Sequence, residues 1–157
     1  MISSNTSYYT SVHFRLSSFT YLLQMVDMFC YELPRQNQSL KKVGENLNPL
    51  QLGPTVVYNL QNLISNDRFF IFVTRQAAAL RVKSLVDLYP NTNWLEREIG
   101  ELFGFIFDGK NDTRNLMLQY GDSSAPFKKS YPAIGLKELY YNFATDLISQ
   151  TPFYTQI

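Results

Sequence analysis

The sequence predicts an α+β fold: a small mixed or antiparallel sheet packed with helices, followed by an extended C-terminal segment. Three observations carry that expectation. Two β-branched and aromatic runs, TVVYNLQNL and RFFIFVTR, are separated only by ISND, the pattern of an antiparallel hairpin. Leu95, Ile99, Leu102, Phe103 and Ile106 recur at i, i+4, i+7, i+8 and i+11, one apolar stripe along a helix. The final stretch, LYYNFATDLISQTPFYTQI, has little charge and no clean period.

Taken in chain order, residues 1–11 are polar and are expected to be poorly ordered or extended. SFTYLLQMV reads as a helical piece, and DMFCYELP alternates as a strand that Pro34 stops. Residues 35–53, rich in Asn, Gln, Gly and Lys, form the expected long loop. After the hairpin, AAALRVKSLVDLYP returns to helical character near Ser84, whose spacing to Asp87 imitates a capping box, and Pro90 ends it. In the striped helix Asn93 is the expected N-cap, with Glu96 at the third helical position. Gly104 is placed to end that helix in a left-handed conformation, and Phe105, Ile106 and Phe107 read as a short buried strand. The division is therefore a single α/β domain over residues 1–107, then a loop and tail over residues 108–157. No internal repeat is present.

Composition mainly excludes. A chain of 157 residues with 45% hydrophobic and 17% charged residues is long enough for one domain with a core of its own. Net charge is +1, so no strong field draws it to nucleic acid or anionic lipid. An RNA-binding reading of its 12 Phe and 11 Tyr lacks the cationic surface that phosphate contacts require. Cys30 and His13 are the sole residues of their types. Too few ligands exist for an internal disulfide, a structural zinc site or an iron–sulfur cluster in this chain alone, and both residues read as packing or surface positions. No apolar run approaches the length of a bilayer span. Residues 1–26 lack acids, as transit peptides do, but Arg15 is their only basic residue besides His13.

The stretch WLEREIGELFGF, residues 94–105, concentrates the charges. At about 100° per residue, Glu96 and Glu98 flank the stripe on opposite sides, and Arg97 and Glu101 lie behind it. Carboxylates on opposite edges do not converge on one substrate atom, which disfavours a glycosidase-like pair. The alternative reading is nonetheless a free-standing soluble α+β enzyme using Glu96, Glu98 and Glu101. GFIFDGKN, residues 104–111, imitates a phosphate-binding loop, but Asn111 replaces the magnesium-holding hydroxyl, and a helix rather than a strand leads into it. Lys128 and Lys129, with Lys137 nearby, read as a solvated loop or as a dock for an acidic partner.

These residues resemble a known family, the 30 kDa subunit of respiratory complex I (NADH:ubiquinone oxidoreductase), known as NADH dehydrogenase subunit 9 in mitochondria and as the C-type subunit in bacteria. The signature of that family is matched by Glu96-Arg97-Glu98, Glu101, Leu102-Phe103, Lys110, Arg114 and Leu116-Met117, with Trp94 just upstream. Tyr120-Gly121, Pro126, Lys129, Pro132, Gly135, Glu138 and Tyr141 fall on further family positions without a gap. The resemblance covers residues 54–142 well and 20–34 weakly. Lys110 stands where the family usually has His, and Lys128-Lys129-Ser130 stands for Arg-Lys-Asp, which removes one bidentate guanidinium.

The resemblance implies a chain without catalytic, cofactor-binding or metal residues of its own, in a complex whose NADH, FMN, iron–sulfur clusters and ubiquinone are held by other subunits. It implies packing in the peripheral arm against the hydrogenase-like large subunit of the quinone module and neighbouring iron–sulfur subunits, with the C-terminal segment lying on that partner. It implies no nucleic acid and only indirect membrane association. Glu96, Arg97, Glu98 and Arg114 are expected to form ion-paired hydrogen bonds that fix the helix to the following loop or to a partner. Relatives usually carry more of the α/β domain at the N-terminus, so another subunit is expected to cover an exposed sheet edge. Heavy use of Asn, Phe, Tyr and Ile suggests an organelle genome, which places the protein on the matrix face of the mitochondrial inner membrane.

Overall fold

A computed structural model describes residues 6–18, 20, 23–32, 54–74 and 81–153. Its elements are α1 (Ser7–Leu16), β1 (Leu23–Tyr31), β2 (Thr55–Asn62), β3 (Arg68–Thr74), β4 (Arg81–Lys83), α2 (Thr92–Phe103), β5 (Ile106–Asp108), β6 (Lys137–Asn142) and β7 (Leu147–Pro152). The expected loop at 35–53 lies outside the described residues, as do residues 1–5.

β1, β2 and β3 form an antiparallel sheet with β2 in the centre. The expected hairpin is β2–β3. Asn62 turns it by accepting the Ile64 N–H on Oδ1 at 2.9 Å, and Asn66 takes a left-handed φ of 60° that short polar side chains tolerate. One sheet face carries Met28, Val56, Tyr58, Leu60, Ile71 and Val73, which are buried together with Ile99 of α2 and Phe105 and Phe107 around β5. Phe14 of α1 stacks on Phe69 at its margin, so both helices lie on this core face.

Several expectations are corrected. SFTYLLQMV does not hold a helix over its described C-terminal part, because Leu23–Val26 belong to β1. A bulge between Met25 and Asp27 inserts one extra residue, so that Met25 and Met28, three apart, both reach the core. That spacing imitates a helical face. The helix lies earlier, in α1, which begins inside the segment 1–11 expected to be poorly ordered or extended and continues to Leu16. Ser7 and Ser11, four apart, are buried on one side of it, and the Ser11 hydroxyl donates to the Ser7 carbonyl at 2.9 Å.

The helical reading around Ser84 also fails over its described residues. Arg81–Lys83 form a strand parallel to β5, with Val82 buried between two exposed long side chains, the two-residue period of a strand. Finally, residues 137–152, which show no clean period in the sequence, form the β6–β7 hairpin.

α2 matches the striped helix, with one shift. Its N-cap is Asn91, which makes no capping bond and instead donates from Nδ2 to the Met25 carbonyl at 2.7 Å. Asn93 therefore lies within the helix, and Glu96 is not in a capping box. Gly104 ends α2 at φ 70°, its N–H donating to the Gly100 carbonyl at 2.9 Å. Beyond it the period falls to two: Phe105 and Phe107 are buried, and Ile106, expected on the apolar stripe, is exposed.

Candidate functional site

The charged residues of α2 hold their surroundings together from two sides. On the core side, Glu96 is fully buried at 0% exposure. Its Oε1 accepts the Leu85 N–H at 2.8 Å, and its Oε2 accepts the Ser84 hydroxyl at 2.7 Å. Lys110, whose side chain is 3% exposed, places Nζ 3.4 Å from Oε2 and donates to the Asn93 carbonyl at 2.8 Å and to Asn93 Oδ1 at 2.6 Å. The turn after β4, the helix and the exit from β5 thus meet at one carboxylate. Burial raises the Glu96 carboxyl above its ordinary range, opposed by the Leu85 N–H, the Ser84 hydroxyl and Lys110. Ser84 does not cap a helix toward Asp87. Its oxygen accepts the Val86 N–H at 3.3 Å.

On the opposite side, Glu101 accepts three successive backbone N–H groups, those of Leu116 at 2.8 Å, Met117 at 2.7 Å and Leu118 at 3.2 Å. Arg97 donates from Nε to the Arg114 carbonyl at 2.8 Å and from Nη2 to the Asn115 carbonyl at 3.1 Å. It also lies 3.7 Å from Asp112. Two helical positions one turn apart therefore bind segment 112–118 through its main chain, one supplying donors and the other acceptors. Arg114 turns away from the helix acids and pairs with Asp112, Nε and Nη2 each at 2.9 Å. That exposed pair holds the Asp112 carboxyl well below its usual range, through hydrogen bonds from Arg114 first of all. Glu98 makes no hydrogen bond or ion pair among the described residues.

The remaining signature residues scatter. Trp94 is 64% exposed, with the Arg97 guanidinium 5.9 Å from its ring. Tyr120 is exposed, and Gly121 adopts φ 86°. Pro126 precedes Phe127, whose N–H donates to the Leu102 carbonyl at 3.0 Å. The Lys128 ammonium passes so close to Gly104 that a Cβ there would sit 2.6 Å from it. The Lys129 N–H donates to Glu32 at 2.8 Å, joining this region to the end of β1. Pro132 accepts the Gly135 N–H at 3.0 Å. Glu138 and Tyr141 lie on the exposed hairpin, where the Tyr141 hydroxyl donates to Asp146.

The three helix acids do not form a reactive set. Glu96 and Glu101 are engaged on different sides of α2 by different segments, so these two carboxylates do not converge on one point. The GKN sequence is equally accounted for, since Lys110 is turned inward onto Glu96 and Asn93. Cys30 is a poor nucleophile: burial, with Glu32 nearby, pushes its thiol up to about 12. Among the described residues, no three His, Cys, Asp or Glu side chains cluster to hold a metal ion.

Comparison with known proteins gives the chain relatives. Residues 14–137 match the family model described as respiratory-chain NADH dehydrogenase, 30 Kd subunit. The chain is 37% identical over 101 residues to the C subunit of NADH-quinone oxidoreductase from Ruegeria sp. (strain TM1040), covering 62% of this chain and 48% of that one. It is 39% identical over 87 residues to the corresponding protein of Erythrobacter litoralis (strain HTCC2594), covering 55% and 34%. With NADH-ubiquinone oxidoreductase subunit 9 of Paramecium primaurelia it shares 48% over 62 residues, covering 40% and 30%. The chain thus spans about a third to a half of the length of these curated relatives. Among solved structures, "Nqo5 of the trypsin-resistant fragment (1-134) in P63 form" matches the fold with a TM-score of 0.53 at 24% identity, over 71% of this chain and 78% of that one.

Proposed function

The chain belongs to the 30 Kd subunit family of respiratory-chain NADH dehydrogenase, and from that premise we propose that it is a structural subunit in the peripheral arm of proton-pumping NADH:ubiquinone oxidoreductase. It supports the hydrogenase-like subunit near the quinone site while NADH, FMN, iron–sulfur clusters and ubiquinone are held elsewhere in the complex. The observation that carries the reading is the use made of the signature charges. Glu96, Arg97, Glu101 and Lys110 are spent on internal hydrogen bonds that position main chain, and none is left facing a substrate cavity.

What those bonds position is an exposed apolar surface. Met117, Tyr120, Phe127, Ile134 and Leu136 lie exposed on the path from segment 112–118 to the hairpin. On the hairpin, Leu139, Tyr141 and Ile148 share one face, and Tyr140 and Leu147 the other, all of them exposed. An isolated two-stranded hairpin is at best marginally stable in water, and an apolar patch of this extent marks an interaction site. We assign residues 108–157 to docking on the large subunit of the quinone module, with neighbouring iron–sulfur subunits as further partners. Among the described residues no helix is long and apolar enough to cross a membrane, which suits attachment through partners on the matrix face of the mitochondrial inner membrane by a protein made in the organelle.

The test is purification of the tagged full chain from detergent-solubilised membranes. Co-purification with the hydrogenase-like subunit and with NADH:ubiquinone reductase activity is expected, and Arg97→Ala should lower the amount of assembled complex on native gels. Turnover by the isolated full chain, or assembled complex at normal levels with catalysis selectively lost, would refute the structural role.

A further inference from the structure

The β1–β2–β3 sheet has a second face, opposite the core, that the interface proposed above does not use. Cross-strand register sets it in rows: Asp27 beside Asn59 beside Phe70, then Phe29 beside Val57 beside Phe72. Phe29, Phe70 and Phe72 are exposed, an apolar surface of three rings around the buried Val57. In the first row, Asn59 is 8% exposed, and its Oδ1 is buried with no hydrogen-bond donor among the described residues. Its neighbour Asp27 is exposed and uses one oxygen to accept the Met28 N–H at 2.7 Å. The other carboxylate oxygen has no partner among the described residues. Two adjacent acceptors, one of them desolvated, therefore stand at the edge of an aromatic surface. The cation of this face, Arg68, sits opposite Gln61 on the neighbouring strand, one row along and two strands across from Asp27, and pairs with neither acceptor.

We propose that this face is a second docking surface, occupied by an arginine-bearing, otherwise apolar segment of a sister subunit. A guanidinium fits because it is planar. Its fork can donate at once to a carboxylate and to an amide oxygen, and its face stacks on an aromatic ring such as Phe70. An ammonium would supply the charge without the fork, and an acidic segment would be repelled by Asp27. The Asn59 oxygen is closed off in the free chain, so the guanidinium reaches it only if that side chain turns outward on docking, where it gains the donor it lacks. The proposal rests on the assembly reading above and adds the place and chemistry of a further contact.

The test uses the full chain within the detergent-solubilised complex. A photoreactive p-benzoyl-phenylalanine replaces Phe29 or Phe72, and cross-linked peptides are sequenced. Asp27→Asn and Asn59→Leu are compared with Asp67→Asn, a turn control, for retention of the chain through salt washes. Asp27→Asn keeps the oxygen that accepts the Met28 N–H, and melting temperatures of the isolated chains show whether folding is intact. Cross-links to one sister subunit beside an arginine, with retention about tenfold weaker in Asp27→Asn and Asn59→Leu, are expected. Cross-links confined to this chain, to lipid or to a second copy would overturn the proposal, as would retention equal to Asp67→Asn. If the wild-type chain does not co-purify with an NADH dehydrogenase at all, the assembly reading falls first. If it co-purifies but the variants behave as the control, only this inference falls.

Discussion

Replacing Glu101 with alanine should release segment 112–118 from α2 while leaving the sheet in place. The wild-type carboxylate accepts three backbone N–H groups, from Leu116, Met117 and Leu118, at 2.7 to 3.2 Å. A hydrogen bond to a charged group contributes roughly 1.5–3 kcal/mol, but this one is partly exposed, and water replaces each partner once the segment opens. Discounted for that screening, the three together are worth about 2–3 kcal/mol of local stability, or roughly 30–150-fold in the population of the open segment. The assay is hydrogen exchange at the amides of Leu116, Met117 and Leu118, read against Val57 and Tyr58 in the central strand. We expect faster exchange at the first three and unchanged exchange at the second pair. Glu101→Gln, which keeps one acceptor oxygen, should fall between. If exchange at residues 116–118 stays at the wild-type rate while Val57 and Tyr58 accelerate, the carboxylate serves the core and the clasp described here is wrong.

Lys110→Met should cost about 3–5 kcal/mol in urea denaturation, because it leaves the buried Glu96 carboxylate without its cation; a loss below about 1 kcal/mol would mean the pair is solvated in solution. Glu96 also sets a pH dependence. Its carboxyl is raised from the ordinary 4.5, mainly by burial, so its stabilising contribution is complete below that value and is lost as pH rises through the folded value. Unfolding free energy should therefore fall with pH across that window in the wild type, and Glu96→Gln should flatten the fall; titrating denaturant midpoints from about pH 4 to about pH 8 reads both slopes. Gly104→Ala should lower the melting temperature, through about 1–2 kcal/mol of left-handed backbone strain and displacement of the Lys128 ammonium. Wild-type melting in that variant would show that the helix end re-forms differently.

Elements whose side-chain period is long and regular are legible in the sequence. The β2–β3 hairpin shows through strand-forming runs around ISND, and α2 through a stripe ending at Gly104. Where the period is interrupted or too brief, pattern misleads. The bulge beside Met25 converts a strand into an apparent helix, and β4, three residues long, never completes a recognisable repeat. α1 is hidden by its serines, whose small side chains read as solvent-facing but pack closely inside. At the site, the residue types are plain, and Glu96, Arg97, Glu101, Lys110 and Arg114 all stand out. Their partners do not, because Arg97 and Glu101 bind carbonyl and N–H groups that any residue supplies. Arg114, expected among the ion pairs that fix the helix to the following loop or to a partner, pairs instead with Asp112 two residues away within that loop.

The bonds that organise α2 join positions close along the chain. Glu96 reaches Leu85 and Ser84 from 11 and 12 residues away and Lys110 from 14, and Glu101 reaches Leu116 from 15. The ties from this region back to β1 span 66 residues at Asn91 and 97 at Lys129. Closing short loops is entropically cheaper and faster than closing long ones, so in refolding of the full chain the ties within residues 84–118 are expected to form before the links from this region back to the first strand. Mutations at Glu96 or Glu101 should therefore slow refolding, whereas Asn91→Ala or Glu32→Ala should chiefly hasten unfolding.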